Sequence, residues 1–186
     1  MSDDDARPDD ATDEMLAGRA AAGDRRAFAV LIDRHYDRIY RLAWRWSGAR
    51  DRAEDIAQEV CVKLAQSIAT FRGDAAFKTW AYRLAYTTAV DHIRANQRLV
   101  TLEPSDMMAL VETVHATEAE DAVAGQDLWR AVRSLPPQQR DAVLLVYAED
   151  LSHAEAALIL GCTEKTVSWH LHEARKRLKI ILDQVA

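Results

Sequence analysis

Between residues 24 and 46 buried-type side chains return at steps of three and four. Phe28, Leu31, Ile32, His35, Ile39, Leu42, Ala43 and Trp46 fall on one stripe. That period is helical and predicts an amphipathic helix ended by Gly48, with Asp24 placed to cap its start. A shorter helix precedes it, begun by Thr12 or Asp13 and ended at Gly23. From about 51 to 69, Ala53, Ile56, Ala57, Val60, Leu64 and Ile68 define the buried side of a third helix. Its other side carries Asp51, Glu54, Asp55, Gln58, Glu59 and Lys63. After the break at Arg72-Gly73, Asp74 is expected to cap a fourth helix running to about Gln97, with Phe77, Trp80, Ala81 and Leu84 opening its inner face. Four helices on short connections predict one compact bundle.

The period is lost from 99 to 125, where Pro104, Ser105 and Gly125 stand. This stretch is longer than an ordinary intradomain loop and reads as a linker. Periodicity then resumes with Leu128, Ala131, Val132 and Leu135. Pro136-Pro137 interrupts it, and Val143, Leu144 and Tyr147 continue on a new helix whose first turn tolerates proline. The segment LSHAEAALILGCTEKTVSWHLHEARKRL, 151 to 178, has the form of a helix-turn-helix. Ser152 and Glu155 make a capping box, Gly161 suits the left-handed turn, and Thr163 can cap the second helix. Val167, Leu171, Ala174 and Leu178 then face inward. The fold class is all-α: two small helical domains, 13–98 and 126–186, on an acidic linker, 99–125. Residues 1–12 read by composition as a disordered acidic tail.

Composition agrees with a helical reading: the chain has 186 residues, only 6 Gly and 4 Pro, 49% hydrophobic and 29% charged positions. No run approaches the roughly 18 apolar residues of a membrane span, and MSDDDARPDD lacks the pattern of a signal peptide, so a cytoplasmic protein is expected. Cys61 and Cys162 suggest reduced thiols, and Cys162 with His153, His170 and His172 matches no zinc spacing. The formal charge of -6 runs contrary to nucleic-acid binding until it is divided. Residues 1–14 hold seven acids and one Arg, which accounts for all of it. The linker holds six acids and no Lys or Arg, while 72–98 has five basic residues against two acids and 163–186 five against three. Two mildly basic modules therefore flank an acidic connector.

Three constellations carry candidate chemistry. The second helix of the helix-turn-helix presents Lys165, Thr166, Ser168, Trp169, His172, Arg175 and Lys176 variously outward, where a recognition helix meets a major groove. An αα-hairpin with a solvated face is the alternative. FRGDAAFKTWAYRLAYTTAVDHIR, 71 to 94, interleaves aromatics with cations, which suits stacking on unpaired bases while phosphates are neutralised. Phe77 and Trp80 fit the inner face better, so contact falls first to Lys78, Tyr82, Arg83, Tyr86 and Thr87, with Arg94 beyond. The acidic stripe in AEDIAQEV, 53 to 60, is either a solvated face or a docking face for a partner. No glycine-rich phosphate loop, metal set or nucleophile with its base is present, so no catalytic residue, cofactor or metal is expected.

In this order and separation the three segments resemble an extracytoplasmic-function (ECF) RNA polymerase sigma factor, with 13–98 similar to sigma region 2 and 126–186 to region 4. The resemblance implies a transcription initiation factor, not an enzyme, that binds core polymerase and opens a restricted set of promoters. It implies that Asp55, Gln58 and Glu59 contact the clamp of the largest polymerase subunit and that region 4 meets the flap. It also implies that the 71–94 segment reads and melts the minus-10 element, that the last helix reads the minus-35 element, and that an anti-sigma factor is a partner. The chain departs from the family at Thr87, where many members have Asn at a position that captures a flipped base. Members also often carry Arg or Lys at Ser168 and Glu173, and Ser at Trp169. Two other classes remain: an ordinary helix-turn-helix regulator, and a sigma mimic that sequesters a partner protein.

Overall fold

The structure, a computed structural model, describes residues 11–102 and 123–183, and the side chains of 11–95 and 128–183. The acidic tail up to residue 10 and most of the expected linker lie outside them. Contacts divide the chain into two compact units, Met1–Met108 and Ala109–Ala186. Among the described residues all regular structure is helical.

The first unit contains α1 (Asp13–Ala21), α2 (Arg25–Ser47), α3 (Arg50–Ser67) and α4 (Phe77–Leu102), with a 3-10 turn at Ile68–Thr70. Thr12 Oγ1 accepts from the Met15 amide and Asp24 accepts from the amides of Arg26 and Ala27, satisfying donors that the first turns leave open. Gly48, at φ 69°, ends α2 in the left-handed conformation. Helix α2 packs against α1, α3 and α4, and α3 packs against α4. Leu31, Ile39, Leu42, Ile56, Val60, Leu64 and Phe77 are fully buried there. Each such side chain contributes roughly 1.5–3 kcal/mol by leaving water. Phe28 and Ile32, expected on the buried stripe, are half-exposed beside Tyr36 and Asp37. A polar clasp fastens α1: His35 Nε2 and Asp13 Oδ2 are 2.6 Å apart, and Arg34 donates to Asp13 Oδ1 and to the carbonyl of Ala11.

Helix α4 begins later and ends later than the sequence suggests. Asp74 does not cap it; the first turn closes from the Ala76 carbonyl to the Trp80 amide at 3.1 Å. It runs to Leu102, two residues short of Pro104, because no earlier residue breaks it and proline disfavours helical backbone at the position before its ring.

The second unit contains α5 (Val123–Arg133), α6 (Pro137–Val143), a π-type turn at Leu144–Ala148, α7 (His153–Leu160) and α8 (Glu164–Asp183). Gly125 therefore lies inside α5 and not in a linker. Pro137 occupies the first turn of α6, where a missing amide hydrogen costs nothing. The wide turn rotates the following side chains, so Leu144 and Leu145 are buried while Tyr147, expected inside, is 59% exposed. Leu128 is exposed as well, leaving Ala131, Val132 and Leu135 as the buried part of its stripe. The Ser152–Glu155 capping box is formed, Gly161 takes φ 67°, and Thr163 Oγ1 accepts from the Thr166 amide at 3.1 Å. Helix α8 packs on α5, α6 and α7 and buries Val167, His170, Leu171 and Ala174.

Candidate nucleic-acid and partner interfaces

Burying Ala53, Ile56, Ala57, Val60 and Leu64 on α3 turns Asp55 and Gln58 outward, and both are exposed. Glu59 is differently placed. It is half-exposed and held between helices, 2.6 Å from Lys63 Nζ and 2.5 Å from His92 Nε2 on α4. Lys63 also donates to the hydroxyl of buried Thr88. Hydrogen bonds from Lys63, then His92, hold the Glu59 carboxyl below its ordinary range against the opposing effect of burial. Of the three expected docking residues, two are open to a partner and the third braces α3 against α4.

On α4 the expected single-strand contacts separate into three groups. Arg83, Thr87 and Arg94 are exposed, Lys78 and Tyr86 half-buried. Tyr82 is fully buried, so the expectation that it contacts DNA is corrected. The inner face of α4 is set by the small residues Ala81, Ala85, Thr88 and Ala89, and Tyr82 shares their side at steps of three and seven. Lys78 Nζ lies 5.6 Å from the centre of the Tyr82 ring, so this tyrosine supports a cation from beneath. Trp80, expected in the core, is half-exposed, edge-on to Phe71 at 5.5 Å and tilted against Phe77 at 5.8 Å. Tyr86 rests edge-on against Trp46 of α2 at 5.4 Å, which fixes its ring. Thr87 donates its hydroxyl to the carbonyls of Arg83 and Leu84, at 3.1 and 3.0 Å, leaving oxygen lone pairs as its outward function.

On α8, Lys165, Ser168, Trp169, His172, Arg175 and Lys176 are exposed and Thr166 half-buried, its hydroxyl 2.8 Å from that of Thr163. Trp169 is 56% exposed, one ring edge against His170. Glu173 pairs with Lys176 at 3.0 Å, and that hydrogen bond lowers its pKa. The acid thus offsets a neighbouring cation instead of standing alone toward DNA. Arg175 donates to the hydroxyl of Tyr147 at 2.9 Å, and His153 Nδ1 is 2.9 Å from Ser168 Oγ.

Four participants were not expected at these faces: His92, and Trp46, Tyr147 and His153, which the sequence offered only as core positions or as a weighed metal ligand. Each acts across a helix boundary, 15 to 40 residues from its partner. Periodicity within one helix gives no signal for such pairs. Among the described residues, no group of three or more His, Cys, Asp or Glu is placed to hold a metal, and no helix is long and apolar enough to cross a membrane.

Comparison with known proteins gives two family matches, to sigma-70 region 2 over residues 31–99 and to sigma-70 region 4 over 125–178. The RNA polymerase sigma-H factor of Pseudomonas aeruginosa is 30% identical over 176 residues, covering 89% of this chain and 91% of that protein. The ECF RNA polymerase sigma-E factor of Escherichia coli K12 is 30% identical over 180 residues, covering 90% and 92%. Among solved structures, the sigma factor RpoE in complex with the anti-sigma factor NepR from Bartonella quintana matches with a TM-score of 0.74 and 24% identity, covering 84% of this chain and 96% of that one. CnrH in complex with the cytosolic domain of CnrY matches with a TM-score of 0.70 and 24% identity, covering 94% and 99%.

Proposed function

The chain belongs to the extracytoplasmic-function sigma factors of the sigma-70 family, and from that premise we propose that it binds core RNA polymerase, directs it to a restricted set of promoters and opens their DNA. The observation that carries this reading is one chain with two separate exposed faces suited to nucleic acid: α4 with Arg83, Thr87 and Arg94, and α8 with Lys165, Trp169 and His172. An ordinary regulator has use for the second face only. A partner-sequestering mimic has use for neither.

Region 2 is assigned to the unit that closes with α4 and region 4 to the unit that opens with α5, with the acidic stretch of sequence between Leu102 and Val123 connecting them. Asp55 and Gln58 meet the polymerase clamp, while Glu59 holds the docking helix to α4. Once a strand is released, the Tyr86 ring offers a face for a base, and Lys78, Arg83 and Arg94 follow the phosphates. On α8 the cations anchor the duplex, and Ser168, Trp169 and His172 are placed for base edges. Phosphodiester synthesis belongs to the polymerase, so no residue here is catalytic. The protein works in the cytoplasm, and an anti-sigma factor that covers these faces is a partner.

Neither module is strongly basic, so the free chain should bind duplex promoter DNA weakly. A mobility-shift assay on one promoter tests this, with and without core polymerase. Core is expected to strengthen binding by at least about a thousandfold, the lower end of the range that separates specific from non-specific binding. Tight sequence-specific binding by the isolated chain would favour the ordinary regulator instead.

A further inference from the structure

The recognition helix has an exposed hydroxyl at Ser168. Serine is an ambivalent reader of DNA, since its hydroxyl can donate or accept. Here a residue from another helix meets that hydroxyl. His153, the first residue of α7, reaches across the turn and sets its Nδ1 2.9 Å from Ser168 Oγ. Ser168 is exposed and His153 half-buried. Lys165 and His172, three residues before and four after Ser168, share its face of α8 and are both exposed. Among the described residues, His153 Nε2 has no partner. The nearest carboxylate on α7, that of Glu155, is occupied by the Ser152 amide and hydroxyl.

We propose that His153 is a positioning residue that fixes Ser168 as a hydrogen-bond acceptor, so that this point of the recognition helix selects a base carrying an amino group in the major groove. The inference rests on the assignment of α8 to the minus-35 element. In the tautomer that carries the single proton of a neutral imidazole on Nε2, that nitrogen is left a donor. Nδ1 then accepts the Ser168 hydroxyl hydrogen, and only the lone pairs of Oγ remain for DNA. Adenine N6 and cytosine N4 are major-groove donors. Guanine and thymine present only acceptors and a methyl group there. An arginine at the same place, a two-donor fork, would select guanine. The serine and its histidine together therefore reverse the preference a cation would impose, which a motif comparison at position 168 alone would miss.

The test uses holoenzyme assembled from the full chain and core polymerase, on a promoter library with the minus-35 base pairs randomised and output read by transcript sequencing. Ser168→Ala identifies the position concerned by flattening it. At that position wild type should favour adenine or cytosine over guanine or thymine on the order of tenfold, within the usual discrimination of a base contact. His153→Ala should cut this preference to about twofold or less at that position alone. His153→Asn, whose side-chain oxygen can still accept from Ser168, should restore part of it. Helix content of each variant by circular dichroism excludes a folding defect. A preference for guanine or thymine in wild type, or an unchanged preference in His153→Ala, would overturn the proposal. A library in which wild type shows no minus-35 preference anywhere would overturn the assignment of α8 itself, and the proposal with it.

Discussion

Tyr82 and Lys78 show how a basic and aromatic segment divides its work within one turn of helix. The tyrosine is fully buried and the lysine lies over its ring, so the aromatic serves the cation and not the base. Tyr82→Ala should therefore lower stability by about 3–5 kcal/mol, the usual cost of removing a buried aromatic ring. Tyr82→Phe, which keeps the buried ring and gives up only what the hydroxyl contributes, should cost less. Urea denaturation followed by circular dichroism measures both; equal, small effects would return Tyr82 to the surface. At Asp13, burial alone would raise the pKa, but hydrogen bonds from Arg34 and then His35 more than offset it and the carboxyl lies below its ordinary value. A carboxyl depressed on folding stabilises fully above its unfolded pKa, and the contribution disappears as pH falls through the folded value. Asp13→Asn should thus cost stability at neutral pH, on the order of 1 kcal/mol for a part-buried charged hydrogen bond. The gap from wild type should close in acid, below the ordinary aspartate range. A gap independent of pH would remove the electrostatic account of the clasp.

At the scale of elements, α3 and α4 are joined by the Glu59, Lys63, His92 and Thr88 contacts, so the proposed docking and DNA faces stand on helices tied to each other. Asp55→Lys with Gln58→Lys should abolish capture of core polymerase in pull-down while leaving the circular dichroism spectrum intact. Undiminished capture would leave the stripe a solvated face. On α4, Arg83→Ala should slow promoter opening several-fold while closed-complex formation stays near wild type, because phosphate tracking matters once a strand is free. Permanganate footprinting separates the two, and a template with a pre-melted bubble should relieve the defect. Much of this was legible in the chain. The stripes of α2 and α3, the caps at Thr12, Asp24, Ser152 and Thr163, and the turns at Gly48 and Gly161 follow from local spacing and stereochemistry. What escaped was set by local backbone irregularity or by contact between helices. Asp74 yields the start of α4 to Ala76, the π-type turn expels Tyr147, and His92 captures Glu59, none of which a single helical period encodes.

Over the whole molecule, charge is arranged so that neither DNA-facing unit is strongly basic and the acidic stretches lie at the start of the chain and between the units. Such a distribution disfavours stray binding to the large excess of non-specific DNA, and makes recognition depend on the polymerase that presents both units to one promoter. That dependence is the central claim. Run-off transcription by purified core polymerase on fragmented genomic DNA, with and without the chain and with transcript starts mapped, tests it most directly. The account predicts new starts only when the chain is present, with a shared pair of upstream elements near minus-10 and minus-35. An unchanged set of starts, or a chain that only represses those already present, would contradict it.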